Sequence, residues 1–163
     1  MKKIIKDIVY FIACGFGSGF LPIMPGTYGT IVGVGLYYLM TYLSLTAYIS
    51  VTIILFTAGV FICNIASIKY KLKGEAIDHP TIVWDEIVGY LITMACSSYD
   101  WRLMVIGFFV FRILDIVKPW PINKINDYMK SGLGIMLDDA VAGIYGGIVL
   151  FVIAMLLNYY DIY

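Results

Sequence analysis

The chain has 163 residues, of which 61% are hydrophobic and only 13% are charged, and its mean hydropathy is +0.90. A typical soluble domain is about 25% charged, so this composition excludes an ordinary soluble globular protein. The formal net charge is zero, which gives no support for a nucleic-acid partner. The length predicts one domain, which we take to cover residues 1–163.

The first part of the chain predicts an interfacial helix, an irregular segment and two membrane helices. Residues 1–14 join lysines to a short apolar run, which favours an amphipathic helix at the membrane interface; the run is too short for a cleaved signal peptide. Residues 15–30 are rich in glycine and proline and are not expected to form a regular helix. Residues 31–67 carry no charge. One helix over them would be about 55 Å long against a hydrocarbon core of about 30 Å, so two helices with a turn near Ser44 are predicted.

The second part of the chain predicts three more helices and two polar loops. In order, these elements are a polar loop over 69–81, a third helix over 82–96, a fourth helix over 101–117, a polar loop over 119–134 and a fifth helix over 135–158. The fourth helix should end at Lys118, because Pro119 disfavours a helical residue before it. The sequence therefore predicts an all-α integral membrane protein with about five short transmembrane or membrane-embedded helices and an N-terminal interfacial helix.

The basic residues orient this predicted topology. With a cytoplasmic N-terminus, five crossings put ten of the eleven basic residues inside, as the positive-inside rule demands, and only Arg102 outside. The ten are Lys2, Lys3, Lys6, Lys69, Lys71, Lys73, Arg112, Lys118, Lys124 and Lys130. Trp84 and Trp120 would mark the inner interface and Trp101 the outer one. The C-terminus is then expected outside.

Five acidic residues reach the same predicted face from three helices. They are Asp85, Glu86, Asp115, Asp138 and Asp139. Two carboxylates about 4 Å apart repel by about 4 kcal/mol at an effective dielectric of about 20, so such a group needs counter-charge. Mg²⁺, which prefers hard oxygen ligands, would supply it. The alternative is a set of solvated helix caps, which the helix dipole favours at N-termini but disfavours for Asp115 at a C-terminus.

Two basic residues accompany Asp115 on one helix face. Arg112, Asp115 and Lys118 are spaced i, i+3, i+6. Arginine offers phosphate a planar fork and lysine a point charge. Beside a metal site, phosphate binding is the preferred interpretation; the alternative is an intrahelical ion pair and an interfacial anchor.

The glycine-rich segment lies on the same predicted face as the acids. Glycines such as Gly17 and Gly26 let a backbone approach phosphate closely, and exposed N–H groups can cradle it. Ser18, Thr27 and Thr30 add hydroxyl donors. The segment is not a Walker A motif, and the alternative is a plain turn between helices.

Two further residues have candidate chemistry. His79, the only histidine, could be a general acid or a metal ligand, although a lone loop histidine is more often neither. Cys96 and Arg102 fit the C-x5-R spacing of cysteine phosphatases, but an outside turn lacks the strand and helix of such a phosphate loop. The three cysteines follow no disulfide or metal-ligand spacing.

Four segments together resemble a known family. GFGSGFLPIMPGTYGT, IVWDEIVGY, FRILDIVKPWPI and LDDAVAG occur in the order and spacing of phosphatidylglycerophosphatase A, over about residues 14–147. The resemblance implies Mg²⁺-dependent conversion of phosphatidylglycerophosphate to phosphatidylglycerol at the cytoplasmic face of the bacterial inner membrane. The residues that carry over are Asp85, Glu86, Arg112, Asp115, Lys118, Asp138 and Asp139.

A small membrane transporter or ion-binding protein is the alternative from another class. Carboxylates in the membrane and broken helices are also its signature. It should carry acids deep in the bilayer and open a path to both faces. In the predicted topology, the half of the molecule toward the outer face is instead nearly free of charge, which favours the phosphatase.

Overall fold

The computed structural model describes residues 3–72, 74, 79–97, 99–129 and 131–160. Helices are the only regular structure in these ranges, which confirms the all-α prediction. The elements are α1 (Lys3–Ala13), a short 3-10 segment (Gly15–Phe20), α2 (Pro25–Met40), α3 (Leu45–Lys71), α4 (Trp84–Met94), α5 (Trp101–Val117), α6 (Ile122–Tyr128) and α7 (Gly132–Tyr160). The predicted turn near Ser44 is confirmed, since the Ser44 hydroxyl caps α3 by accepting a hydrogen bond from the Ala47 N–H at 3.3 Å.

Two helices are long and apolar enough to cross a membrane. They are Leu45–Lys71 and Gly132–Leu157. The exposed face of the first of these helices is apolar: Ile54 is 62% exposed and Phe61 is 71% exposed. This is expected of side chains that contact lipid rather than water. The chain is therefore a membrane protein, while the count of about five crossings stays a prediction. At 16, 11 and 17 residues, α2, α4 and α5 are shorter than the roughly 20 residues of a full span.

The structure corrects two predicted boundaries. Helix α2 begins at Pro25, inside the segment that was expected to be irregular, because proline at the first helical position loses no hydrogen bond. The predicted polar loop over 119–134 contains α6, which is anchored by the fully buried Ile122, and α7 already starts at Gly132. A side chain at Gly132 would meet the Val60 carbonyl at 2.4 Å, so only glycine lets α7 begin so close to α3.

Helix α4 is the centre of the fold. Nine of its eleven residues are buried, and it packs against α2, α3, α5 and α7. Gly143 lies so close to α4 that a Cβ there would be 2.5 Å from the Gly89 carbonyl oxygen. The GxxxG of Gly143 and Gly147 thus makes a close helix contact within the chain. This packing fixes the first turn of α4 against the start of α7.

Parts of the predicted topology fall outside what the structure describes. Lys2, Lys73 and Lys130 lie outside the described ranges, as does Ser98 of the C-x5-R segment, and the side chain of Lys3 is not described. The membrane orientation therefore remains a prediction.

Candidate active site

Three carboxylates from two helices form the heart of the site. Asp85 and Glu86 are in the first turn of α4, and Asp139 is in α7. One ligand oxygen from each lies within 4.8 Å of the other two. Asp85 is only 7% exposed and Asp139 only 3%. These two are therefore not the solvated helix caps of the alternative interpretation.

The donor set fits a divalent metal ion. Glu86 Oε2 and Asp139 Oδ2 are buried and have no hydrogen-bond partner among the described residues. Leaving such acceptors unmet costs about 1–3 kcal/mol each, more if they are charged. Mg²⁺ prefers hard oxygen ligands, so Asp85, Glu86 and Asp139 would suit it as ligands.

Arg112 connects the end of α5 to this group. Its Nη1 lies 2.6 Å from Asp115 Oδ2 and 3.9 Å from Glu86 Oε1. The intrahelical ion pair that the spacing suggested is therefore present, but the same guanidinium also faces α4. The Arg112 Nε is buried without a partner among the described residues, so the guanidinium retains a donor.

Lys118 and Asp138 complete the cluster. Lys118 adopts a left-handed conformation (φ 45°) as it ends α5, and its Nζ forms an ion pair with Asp138 Oδ2. Asp139 lies close enough to Asp85, Asp115 and Asp138 for their carboxylates to interact electrostatically. All five predicted acids therefore converge. When all five carboxylates are ionised, the two cations of the cluster, Arg112 and Lys118, leave three negative charges unbalanced. A divalent ion would reduce this excess of negative charge.

The first turn of α2 approaches the cluster through Gly26. A Cβ on Gly26 would lie 2.2 Å from Glu86 Oε1 and 3.0 Å from both Nη atoms of Arg112. The Thr27 hydroxyl oxygen is buried without a partner in the described part of the chain, whereas Thr30 donates to the Gly26 carbonyl at 2.9 Å. The N-terminal end of α2 therefore abuts the acids and Arg112.

The likeness to known proteins covers nearly the whole chain. The family model described as phosphatidylglycerophosphatase A matches residues 11–154. The chain belongs to the phosphatidylglycerophosphatase A family. It is 41% identical over 146 residues to phosphatidylglycerophosphatase A of Escherichia coli (strain K12), covering 88% of this chain and 82% of that protein. No solved structure matches the chain.

Two further relatives show how widely the likeness extends. Phosphatidylglycerophosphatase A of Haemophilus influenzae is 36% identical over 156 residues, 94% of this chain and 93% of its own length. A Bacteroides thetaiotaomicron protein provisionally named a phosphatidylinositol-3-phosphatase is 39% identical over 148 residues, 85% of this chain and 89% of its own length. The names of these relatives agree on phosphate removal from a lipid and differ in the lipid.

Three residues predicted for the site make contacts away from the acidic cluster in the described part of the chain. His79 stacks on Tyr70 with ring centroids 3.8 Å apart and bonds the Thr81 hydroxyl at 3.0 Å; it is not in the metal-ligand group. Gly17 (φ 100°) lies beside the Phe11 and Phe20 rings, and the Ser18 hydroxyl is buried next to Gly15. Roles for these residues in catalysis stay predictions.

The network around His79 was missed by sequence reasoning. The Tyr70 hydroxyl bonds both the Tyr10 hydroxyl and the Thr81 hydroxyl. Nearby, the Val83 N–H donates to the Ala13 carbonyl at 3.0 Å, so α1 supports the start of α4. Tyr10, Tyr70 and Thr81 are far apart in the sequence and carry no spacing signal that would have predicted this contact.

The C-x5-R pattern does not build a phosphate site in this family member. Cys96 is exposed after the C-terminal end of α4, and Arg102 pairs instead with Asp100 at 2.9 Å. That hydrogen-bonded pairing holds the pKa of the Asp100 carboxyl below its usual value. We expect Cys96→Ser to keep phosphatase activity within about twofold of wild type, because the change is at the surface. A steady-state assay checks this, and a loss of orders of magnitude with folding retained would revive the cysteine-phosphatase hypothesis.

Proposed function

We propose that the chain is a Mg²⁺-dependent lipid phosphatase that hydrolyses the terminal phosphomonoester of phosphatidylglycerophosphate to phosphatidylglycerol and inorganic phosphate. Membership of the family supports the reaction. The observation that carries the metal dependence is the group of buried Asp85, half-buried Glu86 and buried Asp139, in which one oxygen from each residue lies within 4.8 Å of the other two. Asp115 and Asp138, which are paired with Arg112 and Lys118, complete the acidic site.

In this proposal Asp85, Glu86 and Asp139 hold the metal directly. The bound ion would neutralise phosphate oxygens and lower the pKa of a water. Asp115 and Asp138 hold Arg112 and Lys118 at the edge of the group, where each cation can turn from its carboxylate to an oxygen of the transferring phosphoryl group. These cations then stabilise the charge that develops in the transition state.

The bond changes are those of in-line displacement at phosphorus. Water oxygen bonds to phosphorus as the bond from phosphorus to the glycerol oxygen breaks, and a carboxylate of the cluster accepts the water proton. The glycerol oxygen leaves and takes up a proton from water, and the carboxylate returns its proton to water, so the site is regenerated. A covalent aspartyl-phosphate formed on one of the acids is the variant mechanism.

Gly26 should be specifically required if phosphate is bound between α2 and Arg112. Gly26→Ala would push a methyl group against Glu86 and Arg112, so we expect kcat/KM to fall by about 10- to 100-fold. Gly35→Ala on the same helix is the matched control, because nothing lies within 4 Å of its Cβ. Equal activity in both variants would remove the α2 terminus from the site.

We place the protein as one domain in the bacterial inner membrane, with the acids at the cytoplasmic face and the lipid tails in the inner leaflet. The basic residues support this orientation. We expect a reporter fused to the N-terminus to be cytoplasmic and one fused to the C-terminus to be outside. Both reporters on one side would mean an even number of crossings, and α4, with 11 residues, would be the first to doubt.

A substrate panel tests the proposed reaction. Purified protein in detergent is given phosphatidylglycerophosphate, phosphatidylinositol-3-phosphate or phosphatidic acid, with Mg²⁺ or with chelator. We expect Mg²⁺-dependent phosphate release that is fastest from phosphatidylglycerophosphate. Faster release from phosphatidylinositol-3-phosphate would move the substrate assignment toward the Bacteroides relative. No release from any lipid would favour the transporter or ion-binding alternative.

A further inference from the structure

A cleft lies between α1 and the end of α3, apart from the acidic cluster. Its volume is about 330 Å³, and none of the five clustered acids lines it. Its walls include Lys6 and Tyr10 on α1 and Ile65, Ile68 and Lys69 on α3, with Leu72 at the rim. The cleft therefore joins an apolar wall to two ammonium groups.

The described lining of the cleft carries a net positive charge. Among these described residues, Lys6 and Lys69 are opposed by one acid, Asp7. The Lys69 Nζ stands 3.4 Å from the centroid of the Tyr10 ring, which fixes the ammonium group by a cation–π contact. The Tyr10 hydroxyl is in turn bonded to Tyr70. One cation is therefore held in place at the cleft.

Exposed apolar side chains surround this cation on α1 and at the end of α3. On the opposite face of α1, Ile4, Ile8 and Phe11 are exposed at i, i+4 and i+7, which is the pattern of a helix lying in the interface. Leu72 is 83% exposed at the cleft rim, continuing the apolar wall of Ile65 and Ile68 outward. A ligand here would meet positive charge at one end and hydrocarbon at the other.

We propose that this cleft binds one anionic glycerophospholipid. Its phosphodiester lies between Lys6 and Lys69, and an acyl chain follows Ile65, Ile68 and Leu72. Charge complementarity selects an anionic headgroup, since basic pockets between membrane helices bind anionic lipid headgroups. The site is separate from the proposed reaction, because the ligand needs no terminal phosphate. It also adjoins the Tyr10–Tyr70–Thr81 bonds that lead toward the start of α4.

Photo-crosslinking tests the proposal without turnover. The full chain is placed in phosphatidylcholine nanodiscs with a photoreactive phosphatidylserine, which lacks a phosphomonoester and so cannot be a substrate of the proposed phosphatase. We expect labelled peptides from α1 and the end of α3. The double variant Lys6→Gln, Lys69→Gln should lower labelling at least about fivefold. The matched control is Lys71→Gln, Lys124→Gln, which removes two exposed lysines outside the cleft.

Two results would overturn the proposal. One is equal labelling in the two double variants; the other is equal labelling of this cleft by a photoreactive phosphatidylcholine. If the cleft double variant does not fold, Lys69→Gln alone is compared with Lys71→Gln and must show the same direction of change. Because labelling is measured without hydrolysis, a failure here leaves the proposed phosphatase activity standing, and the converse also holds.

Discussion

Asp139→Asn is expected to lower Mg²⁺-dependent phosphate release by about a thousandfold, because a metal ligand acts on transition-state charge. The same change should leave the metal-free protein at least as stable, since it removes one negative charge from a buried group of like charges. Steady-state kcat and thermal unfolding in chelator measure the two effects. Together they distinguish a metal ligand from a residue that only supports the fold.

Asp100→Asn is the matched control for this prediction. Asp100 caps α5 by accepting a hydrogen bond from the Arg102 N–H at 2.8 Å, in the turn after the C-terminal end of α4. Asparagine keeps this acceptor and removes only the exposed ion pair with Arg102, so the unfolding temperature should fall slightly at most and kcat should stay unchanged. If Asp139→Asn instead destabilised the protein and kept its activity, Asp139 would be a structural residue and the proposed metal group would be wrong.

Arg112→Gln is expected to lose both activity and stability. The guanidinium forms an ion pair with Asp115 and also faces Glu86. Stability should fall because removing one partner of a buried ion pair costs about 3–5 kcal/mol. Without it the transferring phosphoryl group also loses its planar donor, so kcat should fall by about a hundredfold or more. Arg112→Lys keeps the charge but not the fork and should recover stability better than activity.

A double variant separates the two roles of Arg112. Arg112→Gln combined with Asp115→Asn removes both charges of the pair, so we expect most of the lost stability to return while activity stays low. Arg102→Gln is the control, because it breaks a more exposed pair at the far end of α5. Recovery of wild-type activity in the double variant would reduce Arg112 to a structural ion pair.

The convergence of the acids could be predicted because it depends on topology alone. Uncharged runs gave the helices, lysines and arginines suggested their direction, and that direction brought Asp85, Asp115 and Asp139 to one end. The described geometry agrees, with these charges close enough to interact. Long-range patterning of this kind is visible in one sequence because the membrane restricts the possible arrangements.

The rest of the site depends on tertiary packing that no local pattern encodes. Composition suggested an irregular segment before Ile31, but Gly26 and Gly29 are helical because they pack against neighbours where a side chain would not fit. A lone histidine in a polar loop suggested chemistry, whereas His79 is stacked on Tyr70 from a different helix. The helical glycines could be predicted only from the position of α4, and the stacked histidine only from the position of α3. Neither position follows from residue spacing.

We propose above all that Asp85, Glu86 and Asp139 hold a metal ion on which phosphate release depends. The most direct measurement strips metal from purified wild-type and Asp139→Asn protein and titrates Mg²⁺ back while phosphate release from phosphatidylglycerophosphate is followed. Mn²⁺ binding by electron paramagnetic resonance on the same samples reports occupancy. We expect the stripped wild type to be inactive and to recover with Mg²⁺, and the variant to bind Mn²⁺ weakly and stay inactive. Full activity of the stripped wild type, or full recovery of the variant, would contradict the claim.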